Sequence, residues 1–246
     1  MSTDLQRMTI GPLQCLAVQT GGDDPAGRIP VLMCHGYGAP GDDLASLAEP
    51  MSQWLGEHAD RFRFVFPAAP RDLAEIGMPG GRAWWPLNMA ALQQVMATSQ
   101  FDQLHDSTPP GLDEARAALV DVIKTLLTQC DRDDSAYVLG GFSQGAMLTM
   151  HTTLTADVKS PKLLVQFSGT LICQSEWTAN ANRLAETDVL QSHGRIDPIL
   201  PFSSADKLCQ LVSQSASSME FMPFDGPHTI DSETLMRLVQ KLSDLQ

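Results

Sequence analysis

Basic residues are scarce in this chain, which has 16 Lys and Arg against 29 Asp and Glu and a formal net charge of −13. Nucleic-acid binding needs a basic surface, so this balance argues against a nucleic-acid partner. No apolar run approaches the length of a membrane-spanning helix. The first residues also lack the basic and then apolar stretches of a secretory signal. We therefore expect a soluble, cytoplasmic protein with no integral membrane association.

Cysteine is also rare. The five Cys residues are odd in number, lie far apart, and form no C-x-x-C or Cys/His cluster. This pattern argues against a disulfide framework and against a metal site. Cys34 and Cys173 adjoin apolar strand-like runs, so we expect them to be inert core residues. A nucleotide fingerprint and a phosphate-binding loop are missing too, so we expect chemistry without a cofactor.

Short apolar runs alternate with amphipathic stretches along the chain. This alternation predicts an α/β fold with a mostly parallel central sheet and helices on both faces. We expect one domain over residues 1–246, because no repeat or linker interrupts it. The predicted strands cover residues 13–19, 29–34, 62–66, 137–139, 162–167, 189–190 and 219–222. The predicted helices cover residues 43–55, with Pro50 as a possible kink and Asp42 or Asp43 as N-cap, and 112–127, 146–154, 202–212 and 229–245.

Residues 71–110 are the least regular part of the sequence. They contain the pair Trp84-Trp85 and a candidate short helix near residues 89–96. A forty-residue connection inside a compact domain usually has its own structure or a functional task. We therefore assign residues 71–110 as a candidate lid or cap insertion.

The stretch from residue 135 to residue 150 contains a G-x-S-x-G, Gly141-Phe-Ser143-Gln-Gly145, between a predicted strand and a predicted helix. The pattern alone arises by accident in roughly one chain in ten of this length. Its strand-to-helix setting is that of a nucleophile elbow, in which a strained turn exposes a serine hydroxyl. Ser143 is therefore our candidate nucleophile.

A serine nucleophile needs a base, and in elbow enzymes the chain order is Ser, then Asp or Glu, then His. Three of the six histidines follow Ser143. His151 lies on the helix of the elbow itself, and His193 precedes the best acid. His228 lies in a loop between the last strand and the last helix, so it is our candidate base.

For the acid, Asp197 follows the strand near residues 189–190 and a Gly-containing turn. Working residues gather at the carboxyl ends of parallel strands, which favours this position. Asp188 stands at the start of that strand, the wrong edge. Asp225 is very close in sequence to His228, although a local hydrogen bond between the two is possible. We therefore take Asp197 as the group that orients the base.

An acyl-transfer intermediate carries an oxyanion that needs preorganised N–H donors. One donor is the amide of Gln144, directly after the nucleophile. We expect the second from the Gly-rich loop after the strand at 29–34, as the amide of Tyr37. His35 in that loop is expected to be structural rather than a proton carrier.

These stretches together resemble the phospholipase/carboxylesterase family of α/β-hydrolases, which includes acyl-protein thioesterases and small bacterial carboxylesterases. The resemblance runs over nearly the whole chain from residue 29. It is carried by HGYG at 35–38, GGFSQG at 140–145, FSG at 167–169, SHGRIDPILP at 192–201, HTI at 228–230 and the Arg-x-Trp-aromatic stretch at 82–85. It implies the triad Ser143, Asp197 and His228 and an oxyanion hole from the Tyr37 and Gln144 amides. The chain departs from the pattern at Pro227 and after Trp85, which leaves the substrate open.

Trp84, Trp85, Leu87, Met78 and Met89 are candidates for an apolar acyl groove, since aromatic and Met side chains suit hydrocarbon ligands. A satellite core under the long loop explains the same residues equally well. The expected reaction is hydrolysis of a small-molecule or lipid-like acyl ester or thioester. Lactone or peptide cleavage by the same serine, and a non-catalytic ligand-binding member of the fold, are the alternatives. The sequence leaves the oligomeric state open, a homodimer included.

Overall fold

The structure is a computed structural model and describes residues 3–87, 105–134 and 136–245. Its strands are β1 (Thr3–Ile10), β2 (Leu13–Thr20), β3 (Ile29–Cys34), β4 (Phe62–Pro67), β5 (Arg71–Asp72), β6 (Arg82–Ala83), β7 (Val138–Phe142), β8 (Leu163–Phe167), β9 (Asp188–Gly194) and β10 (Ser218–Phe224). Its α-helices are α1 (Ala48–Leu55), α2 (Leu112–Gln129), α3 (Gln144–Thr155), α4 (Gln174–Ala179), α5 (Phe202–Ser213) and α6 (Ser232–Asp244).

In the part of the chain that the structure describes, eight strands form one sheet in the order β1-β2-β4-β3-β7-β8-β9-β10. β2 pairs antiparallel with both β1 and β4, whereas every other pair in this sheet is parallel. β5 and β6 pair with each other in a small separate ribbon. The predicted mostly parallel sheet is confirmed.

Two hydrophobic cores cover the two faces of this sheet, because successive side chains of a strand point to opposite sides. On β3, Leu32 belongs to one core and its neighbours Val31 and Met33 belong to the other. The first core takes the apolar sides of α2, α3 and α5, and the second takes those of α1 and α6. Helices therefore lie on both faces, as predicted.

Several element bounds differ from the prediction. β1 was not predicted, because its polar and apolar residues do not alternate strictly and few of them are strongly strand-forming. The helix predicted over 43–55 is split into a 3₁₀ turn, Asp43–Leu47, and α1. The division falls just before Pro50, which lies inside the first turn of α1, where proline is tolerated. The helix suggested near residues 89–96 lies outside the described residues.

The predicted helix caps also need correction. Asp42 precedes the 3₁₀ turn, but its side chain makes no capping bond there and instead pairs with Arg7 at 2.7 Å. The last helix begins at Ser232 rather than at residue 229. Asp231 caps it by accepting the N–H of Thr234 at 3.0 Å, which frees the preceding residues to form a loop.

Parallel strands end at a common edge of the sheet, and this edge positions the loops that matter for function. Among the described residues, loops start there after Cys34, Pro67, Phe142, Phe167, Gly194 and Phe224. The candidate nucleophile, acid, base and oxyanion loop all follow one of these strand ends. The sheet therefore gathers segments that are almost 200 residues apart in the chain.

Candidate active site

Ser143 joins β7 directly to α3 in a strained conformation. Its φ of 54° and ψ of −117° are values that residues other than glycine rarely adopt. The turn is possible because of the two flanking glycines. A Cβ at Gly141 would overlap the carbonyl of Gly145, and a Cβ at Gly145 would overlap the carbonyl of Cys34. Steric crowding of the backbone thus explains why this stretch needs glycine at both places.

Asp197 and His228 form a short hydrogen bond. The Nδ1–H of His228 donates to Oδ2 of Asp197 at 2.6 Å, and the carboxylate is fully buried. Oδ1 of Asp197 accepts the N–H groups of Ile199 at 2.8 Å and Leu200 at 2.9 Å. Every carboxylate oxygen therefore has a donor, which is what a buried charge requires.

The same contacts decide the charge of Asp197. Burial by itself raises the pKa of this carboxyl, but hydrogen bonds from His193, His228 and the Leu200 N–H outweigh it. Its pKa consequently lies well below its usual range, and Asp197 is an anion at neutral pH.

The loop that carries His228 is held against the end of the sheet. Ser168, which follows β8, donates its hydroxyl to the Thr229 carbonyl at 2.9 Å. Gly194 ends β9 so close to this loop that a Cβ would overlap the carbonyls of Gly226 and Pro227. The ring of His228 lies 4.8 Å from that of Phe142, the residue before Ser143. His228 and Ser143 line one cavity.

The other acids considered from the sequence lie elsewhere. Asp188 starts β9 and accepts the hydroxyl of Ser218 at 2.6 Å. Asp225 is 92% exposed and lies 3.4 Å from Arg195 rather than beside His228. Among the described residues, the carboxylate that bonds the imidazole of His228 is that of Asp197.

His35 braces the loop after β3. Its Nδ1–H donates to the Gly36 carbonyl at 2.8 Å, and its Nε2 accepts the N–H of Ala69 at 3.0 Å. Burial lowers the pKa of His35, with a partial offset from the bond to Gly36, so the ring is neutral. Both ring nitrogens are occupied by backbone partners, which supports the expected structural role.

The predicted oxyanion donors lie at the same cavity as Ser143. Gln144 is the first residue of α3, so its N–H has no partner within the helix. Tyr37 lines the cavity. Its loop passes close to the elbow, since a Cβ on Gly36 would contact the ring of Phe142 and the Cβ of Ser143. Gly38 then bonds across to Arg82 at 2.9 Å, which anchors the loop.

The cavity has a volume of about 420 Å³ and a largely apolar wall. Trp85 and Leu87, two of the candidate groove residues, line it. Trp84 and Met78 are not among its lining residues. Trp84 is buried and donates its indole N–H to the His35 carbonyl at 2.9 Å, and Met78 is half-exposed against Gly38. Met89 lies outside the described residues.

Two functional contacts were missed by sequence reasoning. The buried side chain of Gln144 accepts the N–H of Trp84 and donates to the Trp85 carbonyl, both at 2.9 Å, and so ties the cavity wall to the elbow. His193, rejected as a base, has its Nε2 3.2 Å from Oδ2 of Asp197. The available signals were a polar residue inside the elbow and a histidine four positions before the acid.

One group of described residues has the composition of a metal site. Ligand atoms of His151, Cys173 and Glu176 lie within 4.8 Å of one another. However, Nδ1 of His151 accepts the indole N–H of Trp177 at 3.3 Å, and burial raises the pKa of the Cys173 thiol. A metal needs a free imidazole nitrogen and a thiolate, so this group is poorly prepared to bind one.

The remaining thiols and the helices add two observations. All five cysteines are free, and Cys34 and Cys173 are buried, as expected for core residues. Among the described residues, no helix combines the length and apolar character that crossing a membrane requires.

Comparison with known proteins agrees with this geometry. The model of the phospholipase/carboxylesterase family matches residues 13–245. The chain is 28% identical over 220 residues to an acyl-protein thioesterase 1 of Kluyveromyces lactis, covering 87% of this chain and 90% of that protein. It is 26% identical over 204 residues to an acyl-protein thioesterase 1 of Saccharomyces cerevisiae, with 81% and 84% covered.

Among solved structures, esterase PE8 superposes with a TM-score of 0.70 at 24% identity, covering 90% of this chain and 94% of that one. At this sequence identity, the superposition is evidence for the fold alone. Together with the sheet order and the elbow at Ser143, the family match over 233 residues (13–245) identifies the chain. The protein is a member of the phospholipase/carboxylesterase family and has the α/β-hydrolase fold.

Proposed function

We propose that this protein is a serine hydrolase that cleaves carboxylic esters or thioesters through an acyl-Ser143 intermediate, with His228 as base and Asp197 as the group that orients it. The observation that carries the assignment is the 2.6 Å bond from His228 to a buried Asp197, at a cavity that His228 shares with the strained Ser143. Family membership supports the reaction class.

In the proposed reaction, the Nε2 of His228 removes the hydroxyl proton of Ser143 as its oxygen attacks the substrate carbonyl. The imidazolium that forms keeps its Nδ1–H on Asp197, whose lowered pKa maintains the negative charge that stabilises it. His228 then gives the proton to the leaving alcohol or thiol. Water, deprotonated by the same imidazole, hydrolyses the acyl-serine.

We assign the oxyanion of the tetrahedral intermediate to the amides of Tyr37 and Gln144. Loss of one such donor costs about 3 kcal/mol of transition-state stabilisation in serine hydrolases. The support for this assignment is local. Gln144 opens α3, and the Tyr37 loop packs against Ser143 through Gly36. Together with the triad, these two amides account for every step of the proposed reaction.

The acyl part of the substrate is assigned to the 420 Å³ cavity, which Trp85, Leu87 and Met147 line together with Ser143. Relatives named acyl-protein thioesterases support a thioester as one substrate class. Two described stretches of the 71–110 segment contribute to the cavity wall, residues 85–87 and residues 107–110. This supports the assignment of 71–110 as a lid over a single domain of residues 1–246. A cytoplasmic location and a homodimer stay predictions.

A fluorophosphonate probe tests the proposal. It reacts only with an activated serine, so it is expected to label the wild-type protein once, at Ser143, and to leave Ser143→Ala unlabelled. Turnover of p-nitrophenyl esters of increasing chain length, of an acyl thioester and of a peptide then sorts the substrate classes. Labelling that persists in Ser143→Ala, or turnover of the peptide alone, would refute the assignment.

A further inference from the structure

His193 lies on β9, and its side chain contacts the carboxylate of Asp197. Its side chain is fully buried, and its Nε2 is 3.2 Å from Oδ2 of Asp197 and 2.8 Å from the carbonyl of Leu200. The Leu200 N–H in turn donates to Oδ1 of Asp197 at 2.9 Å. These contacts close a ring of hydrogen bonds around the carboxylate. The same carboxylate oxygen, Oδ2, therefore faces two imidazoles, His193 and His228.

The protonation state of His193 follows from these partners. Both neighbours of Nε2 are acceptors, so the proton of a neutral ring belongs on Nε2. Nδ1 is buried and has no hydrogen-bond partner in the part of the chain that the structure describes. A second proton placed there would be an unsatisfied buried donor. His193 is thus arranged as a hydrogen-bond donor through Nε2 rather than as a base.

Aromatic side chains confine the ring of His193. The ring of Phe202 meets it edge-on at 6.3 Å between centroids, and Phe221 stacks on Phe202 at 5.7 Å. Arg195 lies on the ring of Phe202, at 5.3 Å from its centroid. The ionisable groups that face Asp197 in these contacts are His193 and His228. A donor held this firmly fixes the direction of the carboxylate.

We propose that His193 is a positioning residue of the catalytic machinery. It contacts the same oxygen of Asp197 as His228 does and takes a share of the hydrogen-bonding capacity of Oδ2. This inference rests on the proposed function, because it concerns the relay from Asp197 to Ser143. Through Leu200, which lines the cavity, the same donor also fixes part of the substrate-binding wall.

His193→Phe keeps a flat ring in the confined space but removes the donor. We expect kcat to fall about 10- to 100-fold with KM little changed, as for loss of a hydrogen bond to a charged group. We also expect the acid limb of the kcat/KM profile to move to higher pH. The reason is that Oδ2 of Asp197 would then bond His228 without competition from His193, and so would stabilise the imidazolium of His228 more strongly than in the wild type.

His193→Gln supplies the rescue. A Gln side-chain N–H can reach about the same position as Nε2, so this variant is expected to recover most of the lost kcat and the wild-type acid limb. His151→Phe is the matched control, since His151 is almost equally buried but lies on α3 and accepts the indole N–H of Trp177. It is expected to lower stability and leave kcat unchanged.

Failure of the role proposed for His193 and failure of the proposed function would give different experimental results. The downfield Nδ1 proton resonance of His228, assigned by its loss in Asp197→Asn, is measured without substrate and is expected to shift in His193→Phe. Folded His193→Phe with wild-type kcat, acid limb and resonance would overturn the inference. So would failure of His193→Gln to recover, or an equal loss in His151→Phe. Failure of the proposed function shows instead as a wild-type protein that neither labels at Ser143 nor hydrolyses esters.

Discussion

The elbow around Ser143 and the loop around Asp197 hold their functional side chains by different physical means. At the elbow, backbone atoms crowd each other so closely that only glycine fits at residues 141 and 145. In the acid loop, four donors converge on one carboxylate and crowding has little part. Ser143 is thus placed by sterics and Asp197 by electrostatics.

The two regions should respond differently to substitution and to pH. A steric constraint is local, tolerates no added atom, and does not depend on pH. A hydrogen-bonded carboxylate tolerates conservative changes of shape but depends on its donors and on its own charge. Substitutions at the elbow should therefore change mainly the free energy of unfolding. Substitutions around Asp197 should change mainly kcat.

The largest effect is expected from Asp197→Asn. The amide has the shape of the carboxylate but neither its charge nor its preference for the Nδ1–H form of His228, so kcat should fall about 10⁴-fold. Steady-state ester hydrolysis measures this. Asp188→Asn, an acid at the opposite end of the same strand, is the matched control and should keep the wild-type rate. Similar losses in both variants would contradict the special role of Asp197.

Gly145→Ala should act on folding instead. Its Cβ would overlap the carbonyls of Cys34, the last residue of β3, and of His35, directly after it. These are backbone atoms held by the sheet and cannot move aside, so we expect a loss of more than about 3 kcal/mol in the free energy of unfolding. Urea denaturation measures it. Gly80→Ala, at a glycine with φ of 79° and open space around it, should cost only about 1 kcal/mol. Equal costs would mean that sterics do not control the elbow.

Acid should destabilise the protein in two stages. Burial lowers the pKa values of His35 and His151, so the unfolded chain binds more protons than the folded one, and stability falls as the pH drops below about 6.5. The pKa of Asp197 is also lowered, so its contribution is present above about pH 4 and is lost below it. Urea midpoints between pH 7.5 and 3 measure both stages. Asp197→Asn should keep the first stage and weaken the second, and a midpoint that stays constant down to pH 5 would exclude the first.

The smallest effect is expected from Ser168→Ala, which removes the bond to the Thr229 carbonyl beside His228. A neutral hydrogen bond is worth about 1 kcal/mol, so kcat should fall roughly five-fold while KM stays the same. Ser160→Ala is the matched control, because it removes a similar hydroxyl bond, to the Arg183 carbonyl at 2.8 Å, away from the cavity. A similar decrease of kcat in both variants would argue against a positioning role for Ser168.

Much of the fold followed from local patterns. The strand at Ile29–Cys34 was predicted to the residue, and α2 and α5 to within two residues of each end. These elements have strong apolar periodicity over their whole length. β9 was predicted as two residues but has seven, because Gln191, Ser192 and His193 are polar. Those polar side chains are buried by the packing of distant segments, which no local pattern reveals.

The candidate site divides in the same way. The triad assignments follow chain order and position after strands, and they remain predictions for the experiments above. Which aromatic side chain would line the cavity was not decidable from the sequence. Trp84 and Trp85 are adjacent and equally buried, yet only Trp85 lines the cavity. The two bonds from Gln144 and the indole bond to His35 decide this, and their partners come from three separate segments.

By itself the sequence determined the elbow, because a run of five residues with glycine at two places leaves the backbone a single sterically allowed course between strand and helix. It determined the family and fold class as well, since these depend on recurring local patterns. Only the tertiary structure decided the surroundings of Asp197, where donors from β9, from its own loop and from the loop after β10 meet on one buried charge. A hydrogen bond between distant residues exists only after the chain has folded, and for that reason His193 gained its importance from its neighbours in space.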